Sequence, residues 1–434
     1  MKLAIAMIVV GTMFASSLAE AQEWRAERPF RGLFGSGVVD TEQSLTATAS
    51  AGSGWGKTDD RNTSRRHFLI GSDETTRFQG AVSTASAGLT YSLNRGAASV
   101  GASAGSTGQY YPRLSRRVAR REYAGVGTSL GLGAGFIAQA SASYQPYSLM
   151  SMYPVLYEPR ADDTVVANED FPASLEHYVS YSGGASFSRN ITRRTTFSAG
   201  YIYWSRTSSV QMEPYHKHGA SSRITRAVGR GLDLYAGYGY SEARYGSAER
   251  RYVNHQIDVG VNYGRQLSFS RRSTITFSTG TSAQGSAQNE SLRYRATGAA
   301  RLNQELGRTW NASLAYNRGL QFLETWPEPV FSDSASAGVS GFLTRRSQLR
   351  FAVRALSGST HSNTNADAVS YSGTAGISFA VSRHVSTSLT YAYYRHHFAE
   401  NVVLAPGFPS HYEGQTVRAS VNVWAPIFQR ARRP

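Results

Sequence analysis

The stretch VSYSGTAGISFAVSRHVSTSLTYAY, residues 369–393, decides the fold. One parity of its first half carries Val, Tyr, Gly, Ala, Ile and Phe, and the residues between them are mostly Ser, Thr and Gly. A turn at Ser382-Arg383-His384 follows, and the alternation resumes towards Tyr393. Side chains that alternate with a period of two lie on opposite faces of a β-strand. The stretch therefore predicts a hairpin with one apolar and one polar face.

The same pattern recurs along the chain, from a first strand over 42–53 to a last strand over 411–424. Tight turns are expected near residues 94–96, 133–135, 191–194, 229–231, 269–272, 307–308, 344–346 and 382–384, and the connections between hairpins are mostly longer and more charged. When every strand is amphipathic, the economical solution is a closed barrel in lipid. We predict an all-β fold, a closed transmembrane antiparallel β-barrel of about 18 strands (roughly 16–18), with short periplasmic turns and longer extracellular loops.

Composition excludes several classes of protein. The 434 residues carry 45 Lys+Arg against 29 Asp+Glu, a formal net charge of +16, and the mean hydropathy of −0.36 is too low for a helical membrane protein. The absence of cysteine excludes a disulfide scaffold and a cysteine-bearing zinc site. A barrel tolerates this polarity because only half of each strand faces lipid.

The N-terminus has the features of a secretory signal. Lys2 supplies the positive charge, an apolar stretch follows from Leu3, and Ala19-Glu20-Ala21 forms a small-x-small cleavage site. The expected division is a signal peptide over 1–21, a periplasmic or lumen-plugging segment over 22–41, the barrel over 42–428 and a basic tail over 429–434. Cleavage near Ala21 would deliver the protein to the outer membrane of a Gram-negative cell.

With this signal, Ser-Arg-Arg and Thr-Arg-Arg turns and paired amphipathic strands, the chain resembles bacterial outer-membrane β-barrels, in particular the large porin-like barrels. The expected partners are outer-membrane lipid, lipopolysaccharide and the barrel assembly machinery. The missing catalytic motifs predict a protein that is not an enzyme. One feature departs from that family. Such barrels commonly end on an aromatic residue, whereas here Trp424 and Phe428 precede Gln429 and a basic tail.

Several arginines share the polar parity of their strands and are predicted to line the pore: Arg293, Arg295, Arg301, Arg350, Arg354 and Arg418. An arginine that faces lipid at the midplane would cost about 2–4 kcal/mol, which favours the inward assignment. A ring of such charges would favour anions, either small solutes or an anionic polysaccharide. The alternative is structural, with the arginines paired to Glu305, Asp258 or Asp333.

Two charged loops are candidate surfaces. The segment from Pro112 to Arg121 carries five arginines that would meet lipopolysaccharide phosphates or remain solvated: Arg113, Arg116, Arg117, Arg120 and Arg121. The segment near 147–175 is acidic and would form a constriction, a divalent cation site or a solvated loop; its carboxylates are Glu158, Asp162, Asp163, Glu169 and Asp170.

No catalytic, cofactor-binding or metal-binding motif is found in the sequence. His216, His218, His396 and His397 lack neighbouring ligands at metal spacing and are expected to be loop residues. The signal peptide argues against a nucleic acid partner. The expected function is a pore for polar solutes with a preference for anions, without a cofactor. The alternatives are the barrel component of an exopolysaccharide export system and a structural or adhesive surface barrel.

Overall fold

A computed structural model describes residues 41–60, 79–112, 117–131, 134–148, 172–207, 214–229, 231–246, 250–263, 272–286, 289–322, 329–360, 368–399 and 411–431. Eighteen strands account for almost all of them. Their bounds are β1 Thr41–Asp60, β2 Gln79–Arg95, β3 Ala98–Tyr111, β4 Arg117–Gly131, β5 Gly135–Ser148, β6 Pro172–Thr192, β7 Thr195–Arg206, β8 Tyr215–Gly229, β9 Leu232–Tyr245, β10 Arg250–Tyr263, β11 Ser273–Ser286, β12 Asn289–Leu306, β13 Trp310–Gln321, β14 Val330–Thr344, β15 Ser347–Thr360, β16 Ala368–Ala380, β17 Val385–Phe398 and β18 His411–Ala431.

The strands form one closed antiparallel barrel. Each strand pairs with its neighbours in sequence, and β1 also pairs with β18, from Thr41 opposite Ala431 to Asp60 opposite Tyr412. Closure leaves the sheet without an edge, which is the condition for crossing lipid with strands. The predicted fold class and strand number are confirmed. Within the described residues, no helix has the length and apolar character needed to cross a membrane.

The two faces of the barrel differ as the alternation requires. Large apolar side chains on one parity point outward and are exposed, among them Leu89, Val126, Ile257, Leu314 and Val353. Residues of the opposite parity face the lumen and are mostly small and polar. An apolar exterior around a polar interior is the arrangement of a transmembrane barrel.

Hydroxyl groups cover a large part of the lumen wall. Serines on neighbouring strands face each other across the ladders, and their Oγ atoms lie 2.6–2.7 Å apart in the pairs Ser44–Ser92, Ser99–Ser129, Ser141–Ser182 and Ser388–Ser420. A hydroxyl both donates and accepts hydrogen bonds. This wall can therefore replace the hydration of a polar solute.

The two ends of the barrel have different connections. At one end of the barrel, eight connections, most of them short, join consecutive strands. This end is called the turn end, and the opposite end is called the loop end. The β2–β3 turn is typical, because Gly96 has φ +59° and Arg95 pairs directly with Ala98. Glycine adopts this left-handed conformation without steric cost. Every predicted turn lies at or beside the end of a strand that pairs with the next strand in sequence.

Several boundaries differ from the sequence expectation. β1 continues to Asp60 instead of ending near residue 53, and β4 begins at Arg117 inside the predicted 112–121 loop. β18 runs through Trp424 to Ala431, so the proposed tail begins within a strand, where Arg430 lies 3.6 Å from Glu42. The proposed signal peptide and nearly all of the 22–41 segment lie outside the described residues.

The seam between the first and last strands brings two backbones very close together. A Cβ atom on Gly54 would lie 2.4 Å from the carbonyl oxygen of Val417 and 3.0 Å from the Cα atom of Arg418. The neighbouring inward glycine, Gly52, is similarly close to Ala419 and Ser420. Only glycine fits such an approach without displacing the backbone.

Candidate functional site: the lumen

Basic side chains dominate the charged inward positions of the described strands. By register, the inward set comprises Arg121, Arg206, Lys217, Arg223, Arg250, Arg293, Arg295, Arg301, Arg350, Arg354 and Arg418. Fewer carboxylates share this face. Asp258 binds Arg223 at 2.7 Å between Oδ2 and a guanidinium nitrogen, and Asp233 and Glu305 lie near the turn end. The lumen of the described barrel therefore has a positive bias.

The register places each arginine of the predicted pore-lining set on the inward parity. On β12, Arg295 lies opposite Ser282 and Arg301 opposite Thr276. On β15, the guanidinium of Arg350 donates to Gln348 Oε1 at 3.2 Å. Arg418 is only 7% exposed, between the β1 and β17 walls. These residues come from three separate strands and together form an arc from β12 to β18.

Asp258 and Asp333, named as possible partners of these arginines, each form an ion pair with another arginine. Asp258 binds Arg223 on β8. Asp333 lies 3.5 Å from Arg318 on β13 and also accepts a hydrogen bond from the Tyr316 hydroxyl. Both of these ion pairs use arginines that the sequence analysis did not select.

The loop end of β13 separates from β12, while it stays paired with β14. The β12–β13 ladder stops at Gly298 opposite Arg318, although β12 continues for a further nine residues back to Asn289. Arg295 instead donates to Ser359 Oγ on β15 at 3.3 Å, and it lies 4.7 Å from the centre of the Phe331 ring on β14. The other side of Phe331 is contacted by Arg318, at 5.4 Å.

The residue after β13, Phe322, crosses the lumen to the opposite wall. Tyr215 on β8 donates its hydroxyl hydrogen to the Phe322 carbonyl oxygen at 3.4 Å. The ammonium of Lys217 lies 5.2 Å from the centre of the Phe322 ring, within the range of a cation–π contact. Phe322 therefore narrows the channel at the loop end.

Phe322 packs against a continuous row of inward aromatic rings, here called the aromatic wall: Trp204, Tyr215, Tyr245 and Tyr252, one each from β7 to β10. Successive ring centres lie 5.1, 4.7 and 5.7 Å apart. These distances are favourable for tilted aromatic pairs. The wall gives Phe322 a rigid partner.

A cavity of about 260 Å³ occupies the lumen beside Phe322. Its polar lining includes Lys217, Arg223, Asp258, Asn254 and Gln256. Arg223 is held on two sides, by Asp258 and by the Tyr235 ring at 4.2 Å. The cavity therefore combines fixed charges with amide groups that donate and accept hydrogen bonds.

The predicted loop sites are only partly described. The acidic segment Glu158, Asp162, Asp163, Glu169 and Asp170 lies outside the described residues, as do Arg113 and Arg116. Arg117, Arg120 and Arg121 belong to β4 and not to a loop, because β4 pairs with β3 from Arg117 onward. Alternation then sends Arg120 outward and Arg121 inward, so these two side chains lie on opposite faces of the wall.

The expectation that the histidines are loop residues is wrong. His216 and His218 lie in β8, and His396 and His397 lie in β17. His396 is 1% exposed and its Nδ1 lies 2.8 Å from Ser370 Oγ. Among the described residues, no three or more His, Asp or Glu side chains are grouped as a metal site.

OpdL of Pseudomonas aeruginosa has a similar barrel. Its crystal structure shares 11% identity with this chain at a TM-score of 0.47, covering 89% of this chain and 99% of that one. OccAB3 of Acinetobacter baumannii shares 9% identity at a TM-score of 0.47, with coverages of 88% and 99%. The siderophore receptor PirA of Pseudomonas aeruginosa shares 9% at 0.42, with coverages of 88% and 80%. No protein-family model and no curated protein sequence matches the chain.

Sequence reasoning missed the residues that narrow the lumen. Phe322 lies in a connection, where alternation carries no information about direction. Tyr215, Tyr245 and Tyr252 lie at strand ends, where tyrosine is equally expected at a membrane boundary. The parity of Tyr245 relative to Leu234, counted along β9, is the signal that would have placed it inside.

Proposed function

We propose that this protein is an outer-membrane pore for polar solutes, with a preference for anions. The observation that carries the proposal is the excess of inward arginines over inward carboxylates on the described strands. In this assignment the turn end faces the periplasm and the loop end faces the exterior, as in transmembrane barrels generally.

The chemistry of the wall supports passage of a hydrated solute. Paired serines line the β1–β6 side, and the arginine arc lines the β12–β18 side. A solute between them exchanges water for hydroxyl groups on one side and gains charge–charge attraction on the other. Fixed positive charge in a narrow pore raises the local concentration of anions.

The constriction at Phe322 supports selection by size and shape. Its ring, the aromatic wall and Lys217 together narrow the path above the cavity. An anion that enters meets Lys217 first and then Arg223, which lies three rows further along β8 towards the turn end. This order of charges favours an elongated anionic or zwitterionic solute.

Planar-bilayer recordings under a KCl gradient test the proposal. The purified barrel is expected to conduct ions. The sign of its reversal potential should show that chloride permeates better than potassium. Replacing Arg350, Arg354 and Arg418 together by Gln should lower the chloride-to-potassium permeability ratio by about twofold or more, because three charges leave the lumen.

The matched control carries Arg189→Gln and Arg226→Gln. Both side chains share the outward parity of Phe187 and Ile224, near the turn end. The control removes arginines without changing the lumen, so its permeability ratio should equal that of the parent. A cation-selective current, or equal ratios for all three proteins, would contradict the anion preference. A barrel that inserts and never conducts would overturn the pore itself and favour a structural or dedicated export role.

A further inference from the structure

The outer surface carries a charged cluster where an apolar wall is expected. Glu242 on β9 shares the outward parity of Leu234 and Tyr238. Its side chain is nevertheless only 3% exposed, because basic groups cover it. Arg244 Nε lies 2.9 Å from Glu242 Oε1, and an Arg251 guanidinium nitrogen lies 2.8 Å from Oε2.

Two further groups complete this Glu242 cluster. The Tyr240 hydroxyl donates to Glu242 Oε2 at 2.8 Å, and His218 Nε2 lies 3.7 Å from the same oxygen. One carboxylate therefore orients two guanidinium groups and a phenol. The guanidinium side chains remain about half exposed, at 46% and 49%, and the cluster has a net positive charge.

The position of the cluster along the barrel axis is informative. Outward positions on β9 run from Leu232 through Leu234 and Tyr238 to Tyr240 before Glu242. The eight residue steps from Leu232 to Tyr240 span roughly 20 Å at the usual strand tilt. This length is close to the apolar band of about 25 Å in transmembrane barrels. The cluster therefore lies directly at the loop-end margin of the hydrocarbon layer, just beyond the interfacial tyrosines.

The same combination recurs around the barrel. On β17 and β18, the Tyr393 hydroxyl donates to Glu413 Oε1 at 3.2 Å, and Arg395 lies directly opposite Glu413. These residues share the outward parity of Leu389.

On β4 and β5, Glu122 binds Arg120 and lies opposite Tyr144, with the outward parity of Val126. Clusters of this kind therefore lie on β4–β5, on β8–β10 and on β17–β18.

We infer that these clusters bind the phosphate groups of lipid A in lipopolysaccharide, with the Glu242 cluster as the principal site. Arginine binds phosphate through paired charge-assisted hydrogen bonds, and a carboxylate that fixes the guanidinium reduces the entropy lost on binding. A phosphorylated lipid whose acyl chains pack on Leu234 and Ile257 would place its headgroup at Arg244 and Arg251. The inference rests on the proposed outer-membrane location but not on conduction.

Binding of diphosphoryl lipid A to the detergent-purified barrel, measured by titration and by native mass spectrometry, tests this site. The double variant Arg244→Gln/Arg251→Gln is expected to bind at least about tenfold more weakly than the parent, since charge-assisted hydrogen bonds are lost. Arg244→Lys/Arg251→Lys keeps the charge and should recover part of the affinity. Heat-modifiable migration on gels verifies that each variant folds.

The control again carries Arg189→Gln and Arg226→Gln, which removes two outward arginines at the opposite margin. This control should bind lipid A as the parent does, and dephosphorylated lipid A should bind weakly to every protein. An equal loss in the control, or equal affinity for the dephosphorylated lipid, would overturn the site. Equal affinity for phosphatidylglycerol would overturn the assignment to lipopolysaccharide. Because none of these readouts involves current, a non-conducting barrel leaves this test intact.

Discussion

Replacing Phe322 by Ala is expected to raise the open-channel conductance by about twofold or more, because the narrowest part of a pore dominates its resistance. The substitution removes the ring that Lys217 and the aromatic wall hold across the lumen. It also leaves Lys217 closer to the path of the solute, so anion preference should be kept. Single-channel recording of the purified variant in planar bilayers measures both quantities.

The matched control is Phe351→Ala, which deletes the same side chain from the lipid-facing surface, where Phe351 is 47% exposed. Its conductance should equal that of the parent. Tyr215→Phe provides a finer comparison, because it removes only the hydroxyl group that donates to the Phe322 carbonyl oxygen. If Phe322→Ala conducts like Phe351→Ala, Phe322 does not form the constriction.

Gly54→Ala is expected to lower the free energy of unfolding by about 1–3 kcal/mol, the usual cost of forcing extra volume into a packed site. The new methyl group would lie 2.4 Å from a carbonyl oxygen of β18, and backbone cannot rotate away as a side chain can. The β1 and β18 strands must then separate along this seam. Urea unfolding in detergent micelles, followed by tryptophan fluorescence, measures the loss.

Gly239→Ala is the comparison variant for the seam. Gly239 is also an inward strand glycine, but a Cβ atom there would meet its nearest neighbour, Gln256 Cβ, at an ordinary 3.7 Å. Its effect should stay within about 0.5 kcal/mol of the parent, since alanine loses less chain entropy than glycine on folding. Similar unfolding midpoints for the two variants would show that the seam tolerates a side chain.

The fold could be predicted from sequence because alternation is a local property of each strand. The alternation from Val369 to Phe379 alone indicates which face of that strand meets lipid. When the same alternation is found in every strand, the strands together predict a closed barrel. Strand ends were harder to predict. β1 continues beyond residue 53 through the outward Trp55 to Lys57, where the apolar pattern ends, and β18 continues past Pro426 through a bulge at Ile427, opposite Leu45 and Thr46.

The inward parity of Arg301 or Arg354 could be predicted in the same way, because it depends only on neighbours in the same strand. The contact between Phe322 and Tyr215 could not be predicted, because the two residues are 107 positions apart and meet across the lumen. The outward Glu242 cluster was missed for a different reason. A carboxylate on the apolar parity contradicts the alternation, and only the positions of Arg244 and Arg251 explain it.

The pairing of β1 with β18 has a consequence for how the molecule forms. Every other ladder joins strands adjacent in sequence, so each hairpin can form as soon as its second strand is available. The final ladder joins residues nearly four hundred positions apart, from Thr41 to Ala431. The entropic cost of closing a loop grows only logarithmically with its length. The hairpins that form first lower the cost of this closure further, because they hold β1 and β18 near each other. A chain that lacks its last strand would therefore retain its local hairpins and remain an open, adhesive sheet.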